Sequence, residues 1–201
     1  MASENAELPL FPLSTVLFPG GRMGLRIFER RYLDLIRDTL RNEQSFGIVW
    51  LAEGDSEVLK PGLRQAALAK IGTEARVADW DQLPDGLLGV VVEGARRFRL
   101  NSTRQAESGL YMADIEWLNE PQDLALPARS TDLQELLSQL GVHPHVQRLG
   151  MSLDVDEAGA MANRLAQLLP LPAAECYKVL CIDEPLARLD ALHEILDGFS
   201  S

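Results

Sequence analysis

The sequence predicts an α+β fold in which a curved, mainly antiparallel sheet carrying one helix fills residues 1–118 and a helical bundle fills residues 119–201. Three observations predict it. Alternating or β-branched apolar stretches lie before Leu118, whereas every periodicity after it is helical. Between the two, Asn119-Glu120-Pro121-Gln122-Asp123 breaks both patterns. At 201 residues, 46% hydrophobic and 24% charged, the chain can bury a substantial core as one large domain or two small ones.

Taken in order, Leu8 to Leu13 combines apolar residues with Pro9 and Pro12 and reads as an edge strand, where a missing N–H is tolerated. Phe18-Pro19-Gly20-Gly21 is a turn by composition. A short strand, Met23 to Ile27, leads to an amphipathic helix marked by Phe28, Tyr32, Leu35, Ile36, Thr39 and Leu40. Ser45 to Ala52 is a buried strand, and a loop is expected from Gly54-Asp55 through Lys60-Pro61-Gly62. Ala67 to Trp80 alternates, Leu83-Pro84-Asp85-Gly86 turns, and Leu87 to Glu93 is rich enough in valine for a central strand. Gly94 separates it from Arg97 to Leu100, and Tyr111 to Leu118 alternates again.

Four helices are expected next. Leu133, Leu136, Leu137 and Leu140 follow a Thr131-x-x-Gln134 capping box and stop at Gly141. Ala158, Met161, Ala162, Leu165, Leu168 and Leu169 follow Asp154-x-x-Glu157 and end at Pro170. Pro172, Cys176, Tyr177 and Leu180 mark the third; Leu186, Leu189, Leu192 and Leu196, behind Asp183 as cap and Pro185 in the first turn, mark the fourth. Short connections imply antiparallel packing.

Composition excludes several functions. No apolar stretch approaches the roughly 18 residues of a membrane span, and the N-terminus lacks a secretory pattern, so a cytoplasmic protein without membrane attachment is expected. The net charge of −11 is divided into −3 for residues 1–118 and −8 for residues 119–201, which argues against nucleic acid as partner. Cys176 and Cys181 are expected as unpaired core thiols; with His143, His145 and His193 they form no metal pattern, so neither metal nor cofactor is expected. His143 and His145 flank Pro144 in an expected interhelix turn. None of the three lysines follows a glycine, which excludes a P-loop, and no serine lies in a Gly-x-Ser-x-Gly elbow. A non-catalytic protein is expected.

The run Leu8-Pro9-Leu10-Phe11-Pro12-Leu13-Ser14-Thr15-Val16-Leu17-Phe18-Pro19-Gly20, followed by Leu25-Arg26-Ile27-Phe28-Glu29-Arg30-Arg31-Tyr32, resembles the opening of the Lon protease N-terminal domain family. Further similarity lies in Phe46-Gly47-Ile48-Val49, Ile71-Gly72-Thr73-Glu74-Ala75, Asp85-Gly86, Gly94 and Arg97-Phe98. It continues through the helical region, in Leu168-Leu169-Pro170-Leu171-Pro172 and Glu184-Pro185-Leu186-Ala187-Arg188-Leu189. The resemblance implies a PUA-like pseudobarrel in the first half and a substrate-recognition role without the ATPase and peptidase modules that follow this domain in the family. Unfolded or hydrophobic polypeptides are then the expected ligands, and a separate protease or chaperone a candidate partner. Turn-associated apolar residues Phe18, Met23, Trp80 and Leu83 are the candidate peptide contacts. The alternative implied by the PUA-like half is RNA binding through Arg97 and Arg99, which alternation separates from Arg96.

Overall fold

The structure, a computed structural model, describes residues 5–52 and 68–199. The loop expected around Gly54 and Pro61 lies outside them. The described residues form six strands: β1 (Asn5–Leu13), β2 (Arg22–Ile27), β3 (Phe46–Leu51), β4 (Leu68–Gln82), β5 (Leu88–Gln105) and β6 (Tyr111–Trp117). Their order is β2-β5-β4-β3-β1-β6, and β5 also pairs with β6, so five strands close on themselves and β2 is left outside the ring. The sheet is mixed, because β1 and β3 run parallel.

The opening strand is not at an edge, contrary to its prolines' suggestion. Its two ladders overlap only at Leu10: β6 pairs with Asn5 to Leu10 and β3 with Leu10 to Leu13. Pro9 and Pro12 therefore each sit where one side of β1 carries no ladder, which leaves room for the missing donor. Nor does Gly94 end a strand, since β5 runs unbroken through it. Its role is close approach: a Cβ at Gly94 would lie 2.2 Å from the Phe18 carbonyl oxygen. The Phe18–Gly21 turn, with Gly20 at φ +67°, locks onto this point as Gly20 N–H donates to Gly94 O (2.7 Å) and Gly94 N–H donates to Gly21 O (2.9 Å).

Helix α1 (Arg30–Asn42) buries Tyr32, Leu35, Ile36 and Thr39. Phe28 precedes it, with Glu29 at the N-cap position, and is half exposed. Beyond the sheet lie α2 (Thr131–Gly141), α3 (Pro144–Leu149), α4 (Ala158–Leu168), α5 (Ala173–Leu180) and α6 (Pro185–Phe199). The segment expected as a turn around Pro144 is thus a short helix, started by proline at N1 and stopped by Gly150 at φ +61°.

The expected caps of α2 and α4 are replaced, one locally and one by a residue distant in sequence. Ser130, not Thr131, is the N-cap of α2, and Thr131 Oγ1 donates to Ala128 O. The N-terminus of α4 is held by Asp123, whose two carboxylate oxygens accept from Gly159 N–H (2.8 Å) and Ala160 N–H (2.9 Å). This carboxylate satisfies two orphan donors at the positive end of the helix, a role no local box could announce.

Three apolar clusters form the core. Two lie within the sheet and α1; the third joins Val16, Phe18 and Ile71 to Leu133, Leu137, Met161, Leu165, Val179, Leu189 and Leu192 of the helices. No helix among the described residues is long and apolar enough to cross a membrane.

Candidate functional site

The antiparallel ladders set the faces of the strands around β2. Leu25 lies opposite Val90, which lies opposite Trp80, so these three share one face. The next rows, Gly24–Val91–Asp79 and Arg26–Gly89–Asp81, share the other. Trp80, in the β4–β5 hairpin, is 59% exposed, and the tip of the hairpin is turned by Gly86 at φ +84°.

Two hollows meet along β2. The first, about 450 Å³, is lined by Phe11, Leu13, Ile27, Phe28, Glu29, Tyr32 and Leu87 together with Gly24, Leu25 and Arg26. Phe11 stacks on Tyr32 with ring centres 4.0 Å apart, which fixes one wall. The Tyr32 hydroxyl is buried without a hydrogen-bond partner among the described residues, and burial pushes its pKa up to about 12, so it stays a neutral donor. The second hollow, about 730 Å³, is bounded by the hairpin residues Asp79 to Asp81 and Leu83 to Asp85, and by His145, Arg148 and Leu149 of α3; it shares Gly24, Leu25 and Arg26 with the first. Arg22 positions α3 by donating to Leu149 O (3.2 Å) and Gly150 O (2.8 Å) while pairing with Glu93 (2.6 Å). Arg26 pairs with Asp85 across the hairpin. The combination of apolar walls with charged side chains gathered in the second hollow suits the side chains of a polypeptide.

Of the four apolar candidates, Trp80 and Leu83 line the second hollow. Phe18 and Met23 require correction: Phe18 is fully buried in the cluster between sheet and helices, and Met23 is buried in the core beneath α1. A turn-associated aromatic faced inward here because α4 closes over the turn, with Phe18 N–H donating to Gln167 Oε1 (2.9 Å) and Arg164 donating to Pro19 O (3.3 Å). Sequence reasoning passed over Phe28, Leu25 and Leu87 as helix-face or strand residues. The signal that could have found Phe28 was Glu29 beside it, a helix start that leaves Phe28 outside the packed stripe.

Of the arginine pair, Arg97 is corrected as well. Arg97 is fully buried, a poor position for a phosphate contact, and is consumed by internal partners: it donates to Glu120 (2.5 and 2.8 Å), Asp183 (3.0 Å), Leu180 O (2.6 Å) and Ile182 O (3.2 Å). Burial works to lower its pKa, but Glu120 and Asp183 outweigh it and raise the pKa further. Asp183, expected as a helix cap, is this ion-pair partner instead. Arg188 is buried beside it, donating to Ile182 O and Asn163 Oδ1, so the pair knits β5 to the α5–α6 joint. Arg99 is exposed, and Arg96 lies over the Trp117 ring at 3.9 Å.

Cys176 is buried, with its thiol pushed up to about 11 by burial, whereas Cys181 is exposed rather than a core thiol. His143 Nδ1 accepts from His145 N–H at the start of α3, and His193 lies 3.8 Å from Asp132. Among the described residues no group of three or more His, Cys, Asp or Glu is placed to hold a metal.

The family model of the ATP-dependent protease La (LON) substrate-binding domain matches residues 7–198. The chain belongs to this family. Lon proteases from Anaeromyxobacter dehalogenans and Lawsonia intracellularis are 29% and 28% identical over 96% and 92% of the chain. The chain spans 23% and 22% of their lengths, so what matches is only one part of those proteases. A crystal structure of a Lon N-terminal domain protein from Xanthomonas campestris is 35% identical, with a TM-score of 0.71 over 94% of this chain and 98% of that one. The N-terminal domain of Mycobacterium avium complex Lon protease shares the fold at 14% identity, with a TM-score of 0.61 over 94% of this chain and 97% of that one. In this Lon substrate-binding domain the signature Phe18-Pro19-Gly20 is the hinge of sheet and helices, and the hollows around β2 lie apart from it.

Proposed function

We propose that the chain is a non-catalytic polypeptide-binding module that takes unfolded or hydrophobic segments on the hollows flanking β2. The observation that carries this reading is the meeting of two concave, largely apolar surfaces along one short strand, in a domain whose family is described by substrate binding. Trp80 and Leu83 are the contacts retained from the sequence, joined by Leu25 and Phe28. Residues 1–118, with α3 at the wall of the second hollow, would then contact the ligand in the cytoplasm, while the rest of residues 119–201, a segment of net −8, offers an acidic surface to a basic partner such as a protease or chaperone.

The test is a fluorescence-anisotropy titration of a permanently unfolded, dye-labelled polypeptide with the intact chain. Replacing Trp80 and Leu83 together by alanine should weaken binding by about tenfold or more, as expected for an aromatic anchor, with the melting temperature nearly unchanged because Trp80 is exposed. Unaltered affinity of the double variant would remove this surface from the account.

A further inference from the structure

We propose that an extended polypeptide segment, alternating bulky apolar with basic side chains, binds by adding itself as a strand to the free edge of β2. The proposal rests on the polypeptide-binding reading above and fixes the contact as one between backbones. Among the described residues β2 pairs with β5 alone, while the other strands close into a ring, so the outer side of β2 is a free edge; β4 from Arg76 to Gln82 offers a second, and it is β2 that both hollows border. The phase of its hydrogen bonds is set by Gly94 N–H donating to Gly21 O, one step before the Arg22–Glu93 pair in the same register. In an antiparallel ladder bonded and non-bonded pairs alternate. Met23, Leu25 and Ile27 therefore exchange bonds with β5, and Gly24 and Arg26 turn N–H and C=O outward.

The hollows agree with this edge. Gly24, Leu25, Arg26 and Ile27 all line the first one, although their side chains alternate between faces. Gly24 leaves the edge bare, for a Cβ there would meet nothing within 4 Å. A strand laid against it would send alternate side chains to opposite faces. On one face is the apolar hollow of Phe11, Leu13, Phe28 and Tyr32. On the other, Asp79, Asp81 and Asp85 stand against Arg26 and Arg148, an acidic excess that favours lysine or arginine in the ligand.

The probe is an acetylated, amidated heptapeptide alternating phenylalanine or leucine with lysine or threonine, titrated against the intact chain. Copies of it carry N-methyl groups on one alternating set of amides or on the other. Binding should fall about fivefold for each bond lost in the set facing β2, and little in the other set. Gly24→Pro, which removes an outward donor at an edge position open to proline, should weaken the parent peptide comparably while the unfolding midpoint is retained. If the peptide binds but both methylated sets bind alike, strand addition is overturned and the polypeptide-binding reading stands. If neither this peptide nor the unfolded polypeptide binds, both are overturned.

Discussion

Replacing Arg97 by alanine is expected to lower the unfolding free energy by about 3 kcal/mol, the lower end of the cost of breaking a buried ion pair. The lower end applies because the carboxylates left behind, Glu120 and Asp183, are 35% and 67% exposed and can recover water. The carbonyls of Leu180 and Ile182 lose their donor as well, which loosens the α5–α6 joint. Arg97→Met, which fills the space without a charge, should cost less than alanine. Urea unfolding measures both: a lower midpoint at constant slope reports lost stability. An alanine variant as stable as the parent would show that the ion pair does not hold the sheet to the helices. Any loss of nucleic-acid affinity in this variant must be read against its stability, since Arg97 is a structural residue.

Phe18→Ala should be comparably severe, at about 3–5 kcal/mol for deleting a fully buried aromatic ring. The ring lies where the sheet, α4 and α6 share one apolar cluster, and the turn that carries it is fastened to Gly94 and Gln167. Its effect on polypeptide binding, measured below the onset of unfolding, should be small. The opposite pattern, intact stability with lost binding, would return Phe18 to the binding surface.

The strand periods and helical stripes were legible because each reflects one buried face, and Tyr32, Leu35 and Ile36 or Leu133 and Leu137 fall where such faces demand. Pairing direction was not legible, since alternation is the same in parallel and antiparallel ladders, and β1 with β3 turned out parallel. The cap of α4 by Asp123 and the partners of Arg97 join residues 23 to 86 positions apart, beyond any local pattern. Of the four apolar residues expected as contacts, Trp80 and Leu83 do line a hollow. Phe18 and Met23 misled because a residue beside a turn is exposed only if nothing packs over that turn, and the sequence does not say that α4 covers Phe18 or α1 overlies Met23.

Hydrogen–deuterium exchange on the intact chain, with and without a permanently unfolded polypeptide, tests the central claim most directly. In the free chain the outward amides of Gly24 and Arg26 should exchange quickly and those of Leu25 and Ile27 slowly. Ligand should slow Gly24 and Arg26 and, more weakly, residues 79–91 of the hairpin and α3 where it lines the second hollow, leaving α2 and α4–α6 unchanged. Protection confined to α2–α6, or none around β2 at saturating ligand, would contradict the account.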